Sequence, residues 1–184
     1  MTQPYRIITV CTGNICRSPM AELMLAVAFD EAGLAVEVDS AGTTGWEEGN
    51  PIDPRAAATL ARHGIGSDRH GISASGHAAR KFRPAWYAER ELILALDTDH
   101  LEPLHRGAPD AASRDRVRML RSFDPAAAGR PDTELGIPDP WYGGWAEFEQ
   151  TWELIHAAVP GIVAFVRAEL DAGAGSEDTL RAGR

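Results

Sequence analysis

Val10-Cys11-Thr12-Gly13-Asn14-Ile15-Cys16-Arg17-Ser18-Pro19 stands between two segments of opposite character. Before it, Tyr5-Arg6-Ile7-Ile8-Thr9-Val10 is a short apolar run that predicts a buried β-strand. After it, Met20 to Phe29 is rich in helix formers, with Leu and Met at helical spacing. The segment between is therefore a strand-to-helix turn, and Pro19 suits the first turn of the helix. Such a turn aims backbone N–H groups at one point beside the positive end of the helix dipole. It is an anion cradle with a cysteine at its lip.

The spacing gives the chemistry. Helix N-termini and nearby cations lower cysteine pKa values to about 3.5–7.5, and the thiolate is a strong nucleophile. Five residues separate Cys11 from Arg17, enough for the loop to curl around a tetrahedral dianion. Cys11 then lies beneath the phosphorus while the Arg17 guanidinium grips two oxygens. Gly13 is expected to supply a backbone conformation closed to other residues, and Ser18 to donate a hydrogen bond to the departing sulfur. A lone Cys-x5-Arg is a weak signal; the strand before it, the helix after it, and the Gly, Asn, Ser and Pro within it make it specific.

Val10 to Glu22, taken whole, resembles the phosphate-binding signature of low-molecular-weight protein tyrosine phosphatases. The resemblance implies Cys11 as nucleophile, Arg17 as phosphate clamp, and Thr12, Gly13, Asn14, Ile15, Cys16 and Ser18 as the rest of the phosphate loop. It also implies a phosphocysteine intermediate, no metal or other cofactor, and a general-acid aspartate far downstream.

The chain has 184 residues, of which 44% are hydrophobic, and a net charge of −9. That length fits one domain with a full core, expected over residues 1–170. No run approaches the ~18 apolar residues of a membrane span, and no basic, apolar leader precedes the first strand. A cytoplasmic protein without membrane partners is the expectation. The acidic balance and a single lysine, Lys81, argue against nucleic-acid binding. A monomer, at most weakly self-associating, is expected. Two cysteines in one loop make no disulfide framework. Cys16 is instead near enough to Cys11 to form a reversible disulfide after oxidation and protect the nucleophile.

Strands and helices then alternate. Ala35–Ser40 predicts a second strand. Asp53-Pro54-Arg55 opens a helix with Asp53 as N-cap and Pro54 at N1, stopped by Gly64. A short helix is expected over His77–Arg80, a central parallel strand over Glu91–Leu96, a helix over Thr98–Leu104, a polar loop over Arg106–Asp115, and an edge strand over Val117–Leu120. Trp145–Leu170 is an amphipathic helix that Pro160 should break or kink, and Asp171–Arg184 a disordered tail. The pattern describes an α/β domain, a doubly wound sheet of about four parallel strands with helices on both faces. The phosphatase family has a fold of this kind. Ligands in such sheets sit beyond the carboxyl ends of the strands, where Cys11, Ser40 and Asp97 fall.

Breaking a phosphate ester by thiolate attack requires a proton for the leaving oxygen. Asp139, in Ile137-Pro138-Asp139-Pro140-Trp141-Tyr142, lies between two prolines that stiffen its presentation. Alone this is weak, because Asp53-Pro54 and Asp124-Pro125 also occur and Asp-Pro is common turn chemistry. The family pattern places Asp-Pro followed by aromatics near its end, which implies Asp139 as general acid and base. Trp141 and Tyr142 would wall a slot for a flat ring, with Trp46 opposite by resemblance. The resemblance further implies that Ser40 bonds the phosphate loop through Asn14, that His77 supports the same asparagine, and that Asp97 helps order the site. His63, His70 and His77 recur every seven residues, but Gly64, Gly66, Gly71 and Gly76 oppose the helix that would align them for a metal.

Phosphotyrosine in protein substrates is the expected target. Relatives resembling arginine phosphatases carry Thr where this chain has Ile15, whose aliphatic side chain suits an aryl ring. Arsenate reductases of this fold need a further cysteine pair, and none follows Cys16. A non-catalytic phosphate-binding module would be expected to lack Cys11 or Asp139.

Overall fold

The computed structural model describes residues 4–66 and 72–182, the last nine by backbone alone. Four parallel strands form one sheet in the order β2-β1-β3-β4: β1 (Tyr5–Cys11), β2 (Val36–Gly42), β3 (Leu92–Ala95) and β4 (Val117–Met119). The first crossover runs from β1 to β2 on one side and the next carries the chain back past β1 to β3. The order therefore reverses at β1, and the crevice of such a sheet opens at the carboxyl end of that strand. Cys11 is its last residue.

Alternation along β1 splits the core. Ile7 and Cys11 belong to a buried cluster with α1 (Arg17–Glu31), α2 (Pro54–Arg62) and α6 (Trp145–Ala182), which includes Met20, Leu25, Phe29, Leu60, Phe148 and Ile155. Ile8 and Val10 pack on the other face with α3 (Trp86–Glu89) and α4 (Thr98–Gly107), through Trp86, Tyr87, Leu101 and Leu104. With both faces covered, β1 and β3 read as continuous apolar runs rather than alternating ones.

Several expectations are corrected. Residues 77–80 are not helical; the helical turn there is a 3₁₀ turn at Ala74–Gly76. The backbone of 77–80 is taken up by its neighbours: Ala79 N–H donates to Asn50 O and Arg80 O accepts from Gly42 N–H, while Arg80 N–H donates to Asn14 Oδ1. Arg106–Asp115 is not all loop, because Asp110 accepts from Ser113 N–H and caps a short helix, α5 (Ala111–Asp115). The helix after β3 runs on to Gly107 with Pro103 inside it. Pro160 does not break α6. Ile155 and Ala158 before it and Ile162 and Val166 after it are all buried, so packing offsets the lost hydrogen bond. The same helix extends to Ala182, through the segment expected as a disordered tail; no proline follows Pro160 to stop it. No helix among the described residues is long and apolar enough to cross a membrane.

Candidate active site

The loop between β1 and α1 is held by an asparagine. Asn14 adopts φ 61°, a left-handed conformation that Asn tolerates better than most residues. The residue of positive φ in this loop is thus Asn14, and the expectation for Gly13 is corrected. Every polar group of Asn14 is tied down. Its Nδ2 donates to Ser18 Oγ (3.0 Å) and Ser40 Oγ (2.8 Å). Its Oδ1 accepts from Arg80 N–H (2.9 Å), and its carbonyl faces His77 Nε2 at 2.7 Å. Burial and the Arg80 cation push His77 below the ordinary imidazole range, so the neutral ring donates to that carbonyl. Ser40 in turn donates to Glu22, a carboxylate whose pKa burial raises.

Around Asn14 the loop wraps the Cys11 sulfur. Asn14 N–H donates to Sγ (3.3 Å), and Ser18 Oγ lies 3.0 Å from it. Ser18 Oγ also donates to Ala41 O (3.2 Å), so its single proton serves the carbonyl when Cys11 is a thiol and the sulfur when it is a thiolate. Cys16, at the N-cap of α1, offers no side-chain cap, which leaves the first N–H groups of that helix open to an anion. Both cysteines are free and buried. Burial, with Asp53 nearby, drives the Cys16 thiol pKa far up, so it is a thiol near neutral pH. Gly42, ending β2, meets this loop closely: a Cβ there would lie 2.5 Å from Thr12 O.

Arg17 is buried and reaches two carboxylates. Its Nη2 donates to Asp139 Oδ2 (2.6 Å), and its Nη1 lies 3.8 Å from Asp97 Oδ2 while donating to Ile137 O (3.0 Å). Its Nε is buried with no partner among the described residues. Asp97 caps α4 by accepting from Thr98 N–H. The loop that carries Asp139 is anchored upstream where Ile137 N–H donates to Leu96 O, beyond the end of β3. Trp141 N–H donates to Asp139 Oδ1 (3.1 Å) and orients the carboxylate.

These elements enclose a cleft of about 290 Å³ lined by Cys11, Thr12, Ile15, Arg17, Asp139 and three aromatics, Trp46, Trp141 and Tyr142. The aromatics are 80%, 42% and 94% exposed, so they form its rim and not its floor. The structure brings the sequence-derived residues into one network: Ser40 and His77 meet at Asn14, and Asp97 and Asp139 meet at Arg17. Metal binding gains no support from the histidines. His77 is engaged at Asn14, His63 is stacked on Trp152 (3.6 Å between ring centroids), and His70 lies outside the described residues. Among the described residues no group of three or more His, Cys, Asp or Glu is placed to hold a metal ion.

Sequence reasoning missed His100 and Arg55. His100 is 1% exposed, and its Nε2 lies 2.9 Å from Thr12 Oγ1. Burial first, then the Arg17 cation, pushes its pKa down to about 3, so the imidazole that holds Thr12 is neutral. Arg55 donates to carbonyls beyond Asp139. For Arg55 a signal existed, since Asp53-Pro54-Arg55 puts a cation in the first turn of a capped helix; for His100 only its place three residues after Asp97 could have pointed to it.

Comparison with known proteins agrees with this geometry. Residues 6–172 match the family model described as low molecular weight phosphotyrosine protein phosphatase. A low molecular weight protein-tyrosine-phosphatase of Streptomyces coelicolor is 48% identical over 169 residues, 91% of this chain and 96% of that protein. Low molecular weight protein-tyrosine phosphatase A of Mycobacterium tuberculosis is 41% identical over 172 residues, 92% of this chain and 96% of its own length. Among solved structures, YfkJ from Bacillus subtilis superimposes with a TM-score of 0.77 at 28% identity, covering 91% of this chain and 98% of that one. With its cysteine loop at the end of β1 and its match over most of its length, the chain belongs to the low molecular weight phosphotyrosine protein phosphatase family.

Proposed function

We propose that the protein hydrolyses phosphotyrosine in protein substrates by way of a phosphocysteine intermediate. The observation that carries this reading is the convergence of Cys11 Sγ, the Arg17 guanidinium and the Asp139 carboxylate on one cleft floored by backbone N–H groups. The phosphate dianion sits in the loop, held by those N–H groups and by Arg17. The unpartnered Nε of Arg17, together with Nη2, offers the parallel pair of donors that a phosphate accepts bidentately. The Cys11 thiolate attacks phosphorus in line, the ester bond breaks, and Asp139 gives its proton to the leaving phenolate. Asp139, now a carboxylate, takes a proton from water as that water attacks the phosphocysteine. Inorganic phosphate leaves, and the thiolate returns to the hydrogen bonds of Ser18 and Asn14 N–H.

Ile15, buried at the cleft wall, supports an aryl ester over a phosphoramidate, because it offers an apolar surface and no hydroxyl. The rim aromatics support a flat ring in the same way. Cys16, a free thiol in the same loop, would serve as a resolving thiol: a sulfenic acid on Cys11 would condense with the Cys16 thiol, expelling water and forming a disulfide that reductant reverses.

The test is turnover of p-nitrophenyl phosphate with chelator present, beside Cys11→Ser and Asp139→Ala, then of phosphotyrosine and phosphoarginine peptides. Wild type is expected to turn over, Cys11→Ser to be inactive, and Asp139→Ala to lose about 10²–10⁴-fold. Preference for the phosphoarginine peptide would overturn the role of Ile15, and inactivity of freshly reduced wild type on every substrate would overturn the reading itself.

A further inference from the structure

Asp139 sits on a loop with two unlike limbs. Upstream, Ile137 is fastened on both sides, to Leu96 through its N–H and to Arg17 through its carbonyl. Downstream, the turn mostly bonds to itself and to its own continuation: Gly143 N–H donates to Pro140 O, and Gly144 N–H to Glu147. Among the described residues, the hydrogen bonds that tie this downstream limb to another part of the fold come from one side chain. Arg55 Nη1 donates to Gly143 O (2.9 Å) and its Nη2 to Trp141 O (3.2 Å).

Arg55 is itself held. Asp53 accepts from its Nε (3.1 Å) and Nη2 (2.8 Å), and the same carboxylate caps α2 by accepting from Arg55 N–H (2.7 Å). These bonds hold the Asp53 carboxyl below its usual range despite the desolvation that opposes them. The guanidinium carbon lies 4.6 Å from the Phe148 ring centroid and 5.7 Å from that of Trp141. Asp53 also reaches the other loop, for its N–H donates to Ile15 O (2.8 Å). A continuous chain of hydrogen bonds thus runs from the phosphate loop, through Asp53 and Arg55, to the carbonyls two and four residues beyond Asp139.

We propose that Arg55, braced by Asp53, is a positioning residue for the Asp139 general acid, fixing the acid-bearing loop at its downstream end to the same helix terminus that supports the phosphate loop. The inference rests on the phosphatase reading above. It assigns Arg55 no contact with substrate. What it supplies is registration: a planar fork of donors, gripped by one carboxylate, reaches two carbonyls at once, which a flexible ammonium does not reproduce. If the limb swings free, the proton of Asp139 misses the leaving oxygen while the phosphate loop still binds its anion.

The leaving group separates these possibilities. Phenolate, whose conjugate acid has a pKa near that of tyrosine at about 10, needs the proton; p-nitrophenolate is a far weaker base and needs it less. The kcat/KM values cover every step through formation of phosphocysteine, where the proton is delivered. They are measured for phenyl phosphate and p-nitrophenyl phosphate with wild type, Arg55→Met, Arg55→Lys and Asp139→Asn, together with inhibition by inorganic phosphate. Methionine keeps an unbranched stem over Phe148 and removes the fork, and with it two partners of the Asp53 carboxylate, whose bond from the Arg55 N–H remains. Arg55→Met is expected to lose about 30-fold on phenyl phosphate and about 3-fold on p-nitrophenyl phosphate, part of the 10²–10⁴-fold a placed acid supplies. Phosphate inhibition stays within about 2-fold of wild type, since the anion cradle is untouched, and Arg55→Lys falls between. Equal losses on the two esters, or a parallel loss of phosphate inhibition, would overturn the proposal by making Arg55 a support of the whole site. Should Arg55→Met unfold, the ratio of the two esters in Arg55→Lys decides by the same criterion. An inactive wild type would instead sink the phosphatase reading and the inference with it, an outcome distinct from an active wild type with a flat ratio.

Discussion

From Asn14 to Ser18 every residue of the phosphate loop is buried, and Asn14 alone holds partners on both β2 and the segment before α3. In the loop that faces it, Asp139, Trp141 and Tyr142 are exposed, and the chain is fastened at only a few points. The proposed function accounts for the difference by the tasks it gives the two loops. A loop that binds a dianion with backbone N–H groups must keep those groups aimed before the ligand comes, and buried hydrogen bonds are the means. A loop that hands over one proton needs one carboxylate in register, and its remaining atoms are free to meet a varied protein surface.

The sharpest way to break this contrast is at Asn14. Asn14→Ala takes one donor from each of Ser18 and Ser40, leaves the Arg80 N–H without its acceptor, and puts alanine at a positive φ. An orphaned buried polar group costs about 1–3 kcal/mol, so a loss of about 3 kcal/mol in stability is expected by urea denaturation. Misaimed N–H groups are expected to lower kcat/KM by about 10²-fold. Asn14→Gly removes the same bonds without the backbone penalty of about 1–2 kcal/mol; it should recover part of the stability and little of the activity. Tyr142→Ala, in the opposite loop, is expected to change stability by less than about 0.5 kcal/mol. Were Asn14→Ala as mild as that, the phosphate loop would not depend on its buried network.

Much of this was legible in the sequence because the information is local. The strand, the turn and the helix around Cys11 lie within some 25 consecutive residues, and composition reports periodicity over that range. Asp139 was legible through its resemblance to a family pattern, Asp-Pro followed by aromatics, more than through its flanking prolines, and the Asp53 cap through Pro54. What escaped was non-local. His77–Arg80 has helix-forming residues, yet its backbone partners lie on Asn14, Gly42 and Asn50, and no local propensity describes them. His100 reaches Thr12 across 88 positions and Arg55 reaches Gly143 across another 88, distances over which a lone side chain leaves no pattern. Pro160 misled for the opposite reason: the local rule is sound, but packing on both sides of it prevails.

His100 offers a second test, through pH. Its folded pKa of about 3 lies well below the 6.5 of an ordinary histidine. Between those values the unfolded chain takes up a proton that the fold excludes, so stability is full above about pH 6.5 and falls as pH drops toward 3. The slope contributed is up to about 1.4 kcal/mol per pH unit, and His77, also lowered, adds to it in the same direction just below neutrality. Urea midpoints at pH 7, 6, 5 and 4 should decline for wild type and decline less for His100→Gln, which cannot charge. A wild-type curve no steeper than that of the variant would show that protonating this buried ring costs the fold nothing.

The smallest effect is expected at the rim, where it separates a wall of the slot from a loop aromatic with no task. Trp46 is 80% exposed yet lines the cleft with Trp141. Its removal deletes few buried contacts, so Trp46→Ala should leave stability within about 0.5 kcal/mol. Aromatic pairing is worth about 0.5–1.5 kcal/mol, which corresponds to a rise of roughly 2–10-fold in KM for a phosphotyrosine peptide. Because the ring is held equally before and during bond breaking, kcat should not move. An alkyl phosphate, which has no ring to stack, supplies the control, and its KM should be the same for both proteins. An unchanged KM on the peptide would mean that Trp46 does not touch the substrate ring, and that Trp141, Tyr142 and Ile15 shape the slot without it.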